Sequence, residues 1–159
     1  VHWPLLLTLG LFSGGPLLAD DGYTIAVDGA GIQPTMIDAK LMAALPRQIV
    51  QASDHGKPAE FEGVWLRDVM SHAGAPMGTR LRGPNVAIIV RLLARDGYVA
   101  VIALAELEPS FRDKPVLLAD RRDGNGLAAD EGPLRLVVAD EARGGRWIRQ
   151  IERIELVTP

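Results

Sequence analysis

Residues 131–157 read EGPLRLVVADEARGGRWIRQIERIELV, and within them the run Leu134-Arg135-Leu136-Val137-Val138 sets one guanidinium among aliphatic side chains. In a strand, successive side chains alternate between faces, so Leu134, Leu136 and Val138 share one side while Arg135 and Val137 share the other. Arg135 therefore either meets water or enters a pocket. A guanidinium taken out of water needs an anion or several acceptors. Gly144-Gly145-Arg146-Trp147 follows, where paired glycines let the backbone approach something closely and the indole supplies a flat face. Trp147, Ile148, Ile151 and Ile154 are then spaced as on a helical turn packed on a core. Two readings stand side by side. In one, Trp147 is a core residue and Arg135 a surface residue; in the other, guanidinium and indole frame a planar, polar heterocycle.

Outward from this stretch, the pattern predicts a mixed chain that is mainly β with a few short helices. Strands are expected at Tyr23–Val27, ending in the Asp28-Gly29 turn, and at Arg47–Ala52, Phe61–Val64, Val86–Leu93, Tyr98–Leu104, Val116–Ala119, Leu134–Val138 and Ile154–Val157. A short helix is expected over 35–45, opened by Thr35 or Asp38 and stopped by Pro46, and another over 66–73, stopped by Gly74. The segment Ser53–Pro58 reads as a loop, Arg95-Asp96-Gly97 as a hairpin turn, and Asp123-Gly124-Asn125-Gly126 as a turn whose residues serve turn geometry. Loops bring forward Asp54, His55, Asp96 and Tyr98 as polar candidates, each weak alone.

Composition narrows the function. The 159 residues are 48% hydrophobic and 23% charged, the balance of a globular domain. A net charge of -3 lacks the cationic surplus that phosphate binding needs, which sets nucleic acid aside as a partner. The absence of cysteine excludes disulfides, thiolate metal sites and cysteine nucleophiles within this sequence. His2, His55 and His72 have no metal-ligand spacing, and no nucleophile elbow, phosphate-cradling loop or dinucleotide fingerprint occurs. At the N-terminus an apolar stretch, Leu5 to Leu18, is broken by Gly10, Gly14, Gly15 and Pro16 and runs into Ala19-Asp20-Asp21. It reads as a signal peptide over 1–19 cleaved after Ala19, too short and broken for a span of roughly 20 apolar residues. The expectation is a periplasmic protein, not inserted in the membrane after cleavage, with one domain over 20–159.

The ordered set FEGVWLRDVMSHAG (61–74), RDGYVAVIALAELEP (95–109), KPVLLADRRDGNGL (114–127), GPLRLVV (132–138) and GRWIRQIERIEL (145–156) resembles the oxidoreductase molybdopterin-binding domain family, the sulfite oxidase fold. The resemblance implies an α+β fold of mixed sheets. It places Ala52, in IVQASDHGK (49–57), where the family carries its molybdenum-ligating cysteine, with Ser53, Asp54 and His55 beside it. It implies pterin contacts for Arg135, Arg146, Trp147 and Asp96, with Tyr98 next to them. Without the soft thiolate, oxo transfer at molybdenum has no ligand to rest on. Small exported members with that departure resemble regulators of the PruR type, which implies a molybdenum-free pterin as ligand and the periplasmic part of a membrane-bound cyclic-di-GMP enzyme as partner. Two other expectations remain: a molybdopterin-dependent oxidoreductase, and an interaction module without pterin.

Overall fold

A computed structural model describes residues 22–159, so the expected signal peptide over 1–19 lies outside the described residues. The chain opens with β1 (Thr24–Gly29), in which Ile25 and Val27 turn inward while Ala26 and Asp28 turn outward. Next come β2 (Thr35–Asp38) and a one-turn helix, α1 (Ala39–Ala44). β3 (Arg47–Asp54) and β4 (Lys57–Trp65) form a hairpin, followed by α2 (Leu66–His72). Short 3-10 turns at Gly78–Arg80 and Gly83–Ala87 lead to the second hairpin, β5 (Ile89–Ala94) and β6 (Val99–Ala103). After a 3-10 turn at Leu104–Leu107 the chain continues through β7 (Leu117–Arg122), β8 (Asn125–Gly126) and β9 (Arg135–Val137). A last 3-10 turn, Gly144–Arg146, precedes β10 (Ile151–Val157).

These strands make two five-stranded sheets. One has the order β2-β1-β10-β5-β6; the other runs β3-β4-β7-β8, with β9 also paired to β7. Only β1 and β10 pair in parallel, which brings the two ends of the described chain together in the middle of the first sheet. The inward residues of both sheets, with Met70 of α2, form one apolar cluster that includes Val27, Phe61, Leu92, Leu118, Leu136 and Ile154. β9 and the first half of β7 are buried on both faces, which is why they read as continuous apolar runs rather than alternations.

Several local expectations gave way to tertiary contacts. Thr35–Asp38 is a strand and not the first turn of a helix, because Ile37 pairs with Ile25 on β1; the helix starts only after Asp38, whose carboxylate caps the Leu41 N–H at 2.8 Å. The expected loop Ser53–Pro58 is a two-residue turn, His55-Gly56, with both φ angles positive, and strand pairing continues to Asp54 and Lys57. The first sheet's strand begins at Ile89 rather than Val86, since Gly83–Ala87 coils into a 3-10 turn. The helix-like spacing of Trp147, Ile148, Ile151 and Ile154 is not a helix: Trp147 and Ile148 follow a 3-10 turn, and Ile151 and Ile154 lie in a strand with an irregular register. Between Ile151 and Arg153 the pairing with β5 shifts by one residue, so Ile151 and Ile154, three apart, both face the core.

Gly63 marks the tightest approach between strands. A Cβ there would lie 2.0 Å from the Leu118 carbonyl oxygen, where the β4–β7 register shifts. Gly63→Ala must push β4 off β7, and overpacking of this kind costs about 1–3 kcal/mol. The expected loss is read as a lower midpoint in denaturant unfolding; an unchanged midpoint would show that the two strands have slack.

Candidate functional site

Two hairpin turns, strand β9 and the segment before β10 meet around one cavity. The β3–β4 turn supplies Asp54 and His55, the β5–β6 turn supplies Asp96 and Tyr98, β9 supplies Arg135, and the segment before β10 supplies Gly144, Gly145 and Trp147. Together with Ala94, Asp130, Ile148, Arg149 and Gln150 they line a cavity of about 210 Å³. Six of the eight residues expected at the site are thus brought together. Ser53 and Arg146 do not line it. Ser53 is exposed on β3, and Arg146 turns away to bond the carboxylates of Glu106, at 3.0 Å, and Glu141.

Arg135 answers the choice between water and pocket: its side chain is 2% exposed. It is not a free fork of donors, however. Its Nη1 donates to Glu131 Oε1 at 2.6 Å and to Asp54 Oδ2 at 3.2 Å, while the Nη1 of Arg122 donates to the same two oxygens at 2.8 and 3.0 Å. The four groups close a ring of alternating charge that ties β3, β7, the loop before β9, and β9 itself. The Arg135 guanidinium carbon lies 4.9 Å from the Phe61 ring centroid and 6.0 Å from that of Trp147, so aromatic faces take part of the charge. The Arg135 Nε is buried with no hydrogen-bond partner. Neither Glu131 nor Arg122 stood out in the sequence. Glu131 lies in an irregular segment four residues before Arg135, and nothing in the periodicity marks it as that residue's partner.

The remaining walls are held in place from outside the cavity. Trp147 is buried, donates its Nε1–H to the Val138 carbonyl at 3.1 Å and meets Phe61 edge to face at 6.1 Å. The Asp96 carboxylate accepts the Tyr98 N–H at 2.9 Å, which rigidifies the β5–β6 turn, and the Tyr98 hydroxyl donates to the Gly145 carbonyl at 2.7 Å. Gln150 holds φ at +50°; its N–H bonds the Glu131 carbonyl and its own carbonyl accepts the Arg95 N–H. Gly145 differs from Gly63. Its φ is not in the left-handed region, and a Cβ there would meet nothing within 4 Å. No contact within the chain therefore requires glycine at 145, whereas close approach of a ligand would.

Such a construction, two β sheets with a small polar and aromatic cavity at one end, is that of a small-molecule-binding domain. The chain belongs to the oxidoreductase molybdopterin binding domain family, whose model matches residues 47–159. Its fold is also similar to the sulfane dehydrogenase SoxCD from Paracoccus pantotrophus, with a TM-score of 0.65 at 18% identity. That likeness covers 91% of this chain and 40% of the SoxCD chain, so this chain spans less than half the length of that structure. No curated protein matches the sequence.

The residues present fit the two parts of a molybdopterin differently. Donors, acceptors, an indole and an uncrowded glycine suit a pterin ring. A molybdenum carried by the cofactor would gain no protein thiolate from this sequence, which has no cysteine, and no set of three or more His, Asp or Glu among the described residues is arranged for a metal. Ala52, at the position the resemblance assigns to the cysteine, is half-buried on β3 and does not line the cavity.

The ion ring sets an acid limit on stability. Burial alone would raise the Asp54 pKa, but the Arg135 charge and hydrogen bond, with Arg122 behind them, hold the carboxyl below its ordinary value. A depressed carboxyl contributes stability above the unfolded pKa of about 3.9 and loses it as pH falls through the lower folded value. Asp54→Asn should therefore be less stable than the parent at neutral pH, with a shallower loss below about pH 4. Arg135→Met leaves Asp54 and Glu131 to share Arg122 alone, and the loss should approach the roughly 3–5 kcal/mol of a broken buried ion pair. Urea unfolding at several pH values checks both. Parallel pH profiles for parent and Asp54→Asn would mean that the ring does not couple to folding.

Proposed function

We propose that this protein binds a pterin without molybdenum, does no redox chemistry on it, and reports its presence to a partner outside the cytoplasm. The observation that carries this reading is the cavity's mixed lining. It holds carboxylates (Asp54, Asp96, Asp130), guanidiniums (Arg135, Arg149) and an indole beside an uncrowded glycine. The aminopyrimidinone edge of a pterin offers N–H donors that suit a carboxylate, and its carbonyl and ring nitrogens suit a guanidinium. Three acidic and two permanently basic side chains do not make an anion cradle, which favours a pterin ring over a phosphate-bearing molybdopterin.

Export and signalling rest on other grounds. The apolar stretch before Ala19 has the form of a secretory leader, and no helix among the described residues is long and apolar enough to cross a membrane. The resemblance to small exported pterin-binding regulators of the PruR type supports, as partner, the periplasmic part of a membrane-bound cyclic-di-GMP enzyme.

The test is native purification from a periplasmic extract, with mass spectrometry of the bound small molecule and metal analysis of the same sample. A pterin without stoichiometric molybdenum is expected. Stoichiometric molybdenum with sulfite- or sulfoxide-dependent electron transfer would make the protein an oxidoreductase; failure to bind any reduced pterin in calorimetry would leave an interaction module. One variant locates the ligand. Gly145→Ala places its methyl where no other part of the chain lies within 4 Å, so folding should be unchanged while pterin affinity drops at least tenfold, about 1.4 kcal/mol. Unchanged affinity would put the pterin elsewhere.

A further inference from the structure

The second sheet ends in an edge that no strand among the described residues covers. β3 is its terminal strand, eight residues paired only to β4, in a register without a shift. The two-residue turn makes Asp54 and Lys57 a hydrogen-bonded pair, so Ala52, Val50 and Gln48 also bond to β4. This matches β4 itself, where the N–H and carbonyl of Glu60 point the other way, to Asp123. The N–H and carbonyl groups of Arg47, Ile49, Gln51 and Ser53 therefore point out of the sheet, and no turn, loop or cap hydrogen bond among the described residues uses them.

Exposed edges are normally shielded by brevity, bulges, Pro or Lys. The β3 edge has none of these devices, whereas β2 and β8 are four and two residues long. Third along β3 stands Ile49, 63% exposed, more than any other large apolar side chain among the described residues. The charges around it cancel: Arg47, Lys57 and Arg121 stand against Glu60, Glu62 and Asp120. Such an edge meets its own copy without like-charge repulsion and offers no field to a strongly charged partner.

We propose that two copies of this chain pair antiparallel through β3, about a twofold axis at Ile49. In that register Ile49 faces Ile49 of the second copy, and Arg47 lies opposite Gln51 of the second copy, which holds Glu60 at 2.7 Å. Outward-pointing groups meet outward-pointing groups, and the two small sheets become one continuous sheet. Each strand ends at Asp54, so the two cavities lie at opposite ends of the joined pair, about 33 Å apart along the strands. The inference is independent of the ligand.

The absence of cysteine makes the test direct, since a single introduced thiol has only its own copy to react with. The full chain should sediment as a dimer over a concentration series, and Ile49→Lys should sediment as a monomer with its pterin affinity unchanged and an unfolding midpoint that no longer rises with concentration. Ile49→Cys should form a disulfide dimer under mild oxidation, because paired strand residues lie within disulfide reach. Met36→Cys, on an equally accessible edge of the other sheet, should not. A parent that is monomeric throughout, a dimer indifferent to Ile49→Lys, or equal cross-linking of the two cysteine variants overturns the proposal. An edge that serves an extended segment of another protein leaves the parent monomeric and so also counts against it.

Discussion

The site depends on a ring of four charges. Arg122 and Arg135 share single oxygens of Asp54 and Glu131, and the ring is packed against Phe61. Each member comes from a different segment, so the ring forms only when both ends of the second sheet are in place. Buried ion pairs contribute little net stability compared with apolar residues of the same volume, because desolvation offsets the attraction. Their effect is specificity: any arrangement that leaves one carboxylate unmatched is heavily penalised. In this protein the specified arrangement holds Asp54, at the tip of a hairpin, against a cavity wall.

From that constraint the neighbouring features follow. The His55-Gly56 turn must be tight for Asp54 to remain in the strand and still reach Arg135, and both turn residues take positive φ to achieve it. Trp147 cannot tilt toward a ligand without giving up its bond to Val138 and its edge contact with Phe61, so it acts as a fixed wall. The more exposed boundary is on the other side. There Tyr98, 53% exposed, reaches the Gly145 carbonyl across the mouth by one hydrogen bond.

The sequence carried the strands more faithfully than it carried the site's chemistry. Alternation in β1, β5 and β6, the helical spacing of α2, and the turn residues at Arg95–Gly97 were legible because local chemistry and tertiary packing agree there. Thr35–Asp38 misled because a strand partner distant in sequence outweighed local helix preference, and 147–154 misled because a 3-10 turn and then an irregular register together imitate a helical period. Arg135 stood out as a guanidinium among aliphatics, yet its partners did not. Asp54 is 81 positions away, and Glu131 sits in an irregular segment with no period to betray it. Arg146 shows the opposite failure: a basic residue beside the right tryptophan, attractive by motif, that the fold spends on Glu106 and Glu141.

The electrostatics of the ring also bear on whether the cavity transforms its ligand or holds it. A general acid or base works best with a pKa near the working pH, and enzymes raise carboxyls toward neutrality by burial among apolar groups. Asp54 is driven the other way. Burial would have raised it, but two arginines more than reverse the effect and keep it ionised. A carboxylate held so firmly gives up and takes protons poorly at neutral pH, yet accepts hydrogen bonds well and at constant charge. The fixed anion and cation at the cavity wall therefore offer an acceptor and a positive charge whose states do not change around neutral pH.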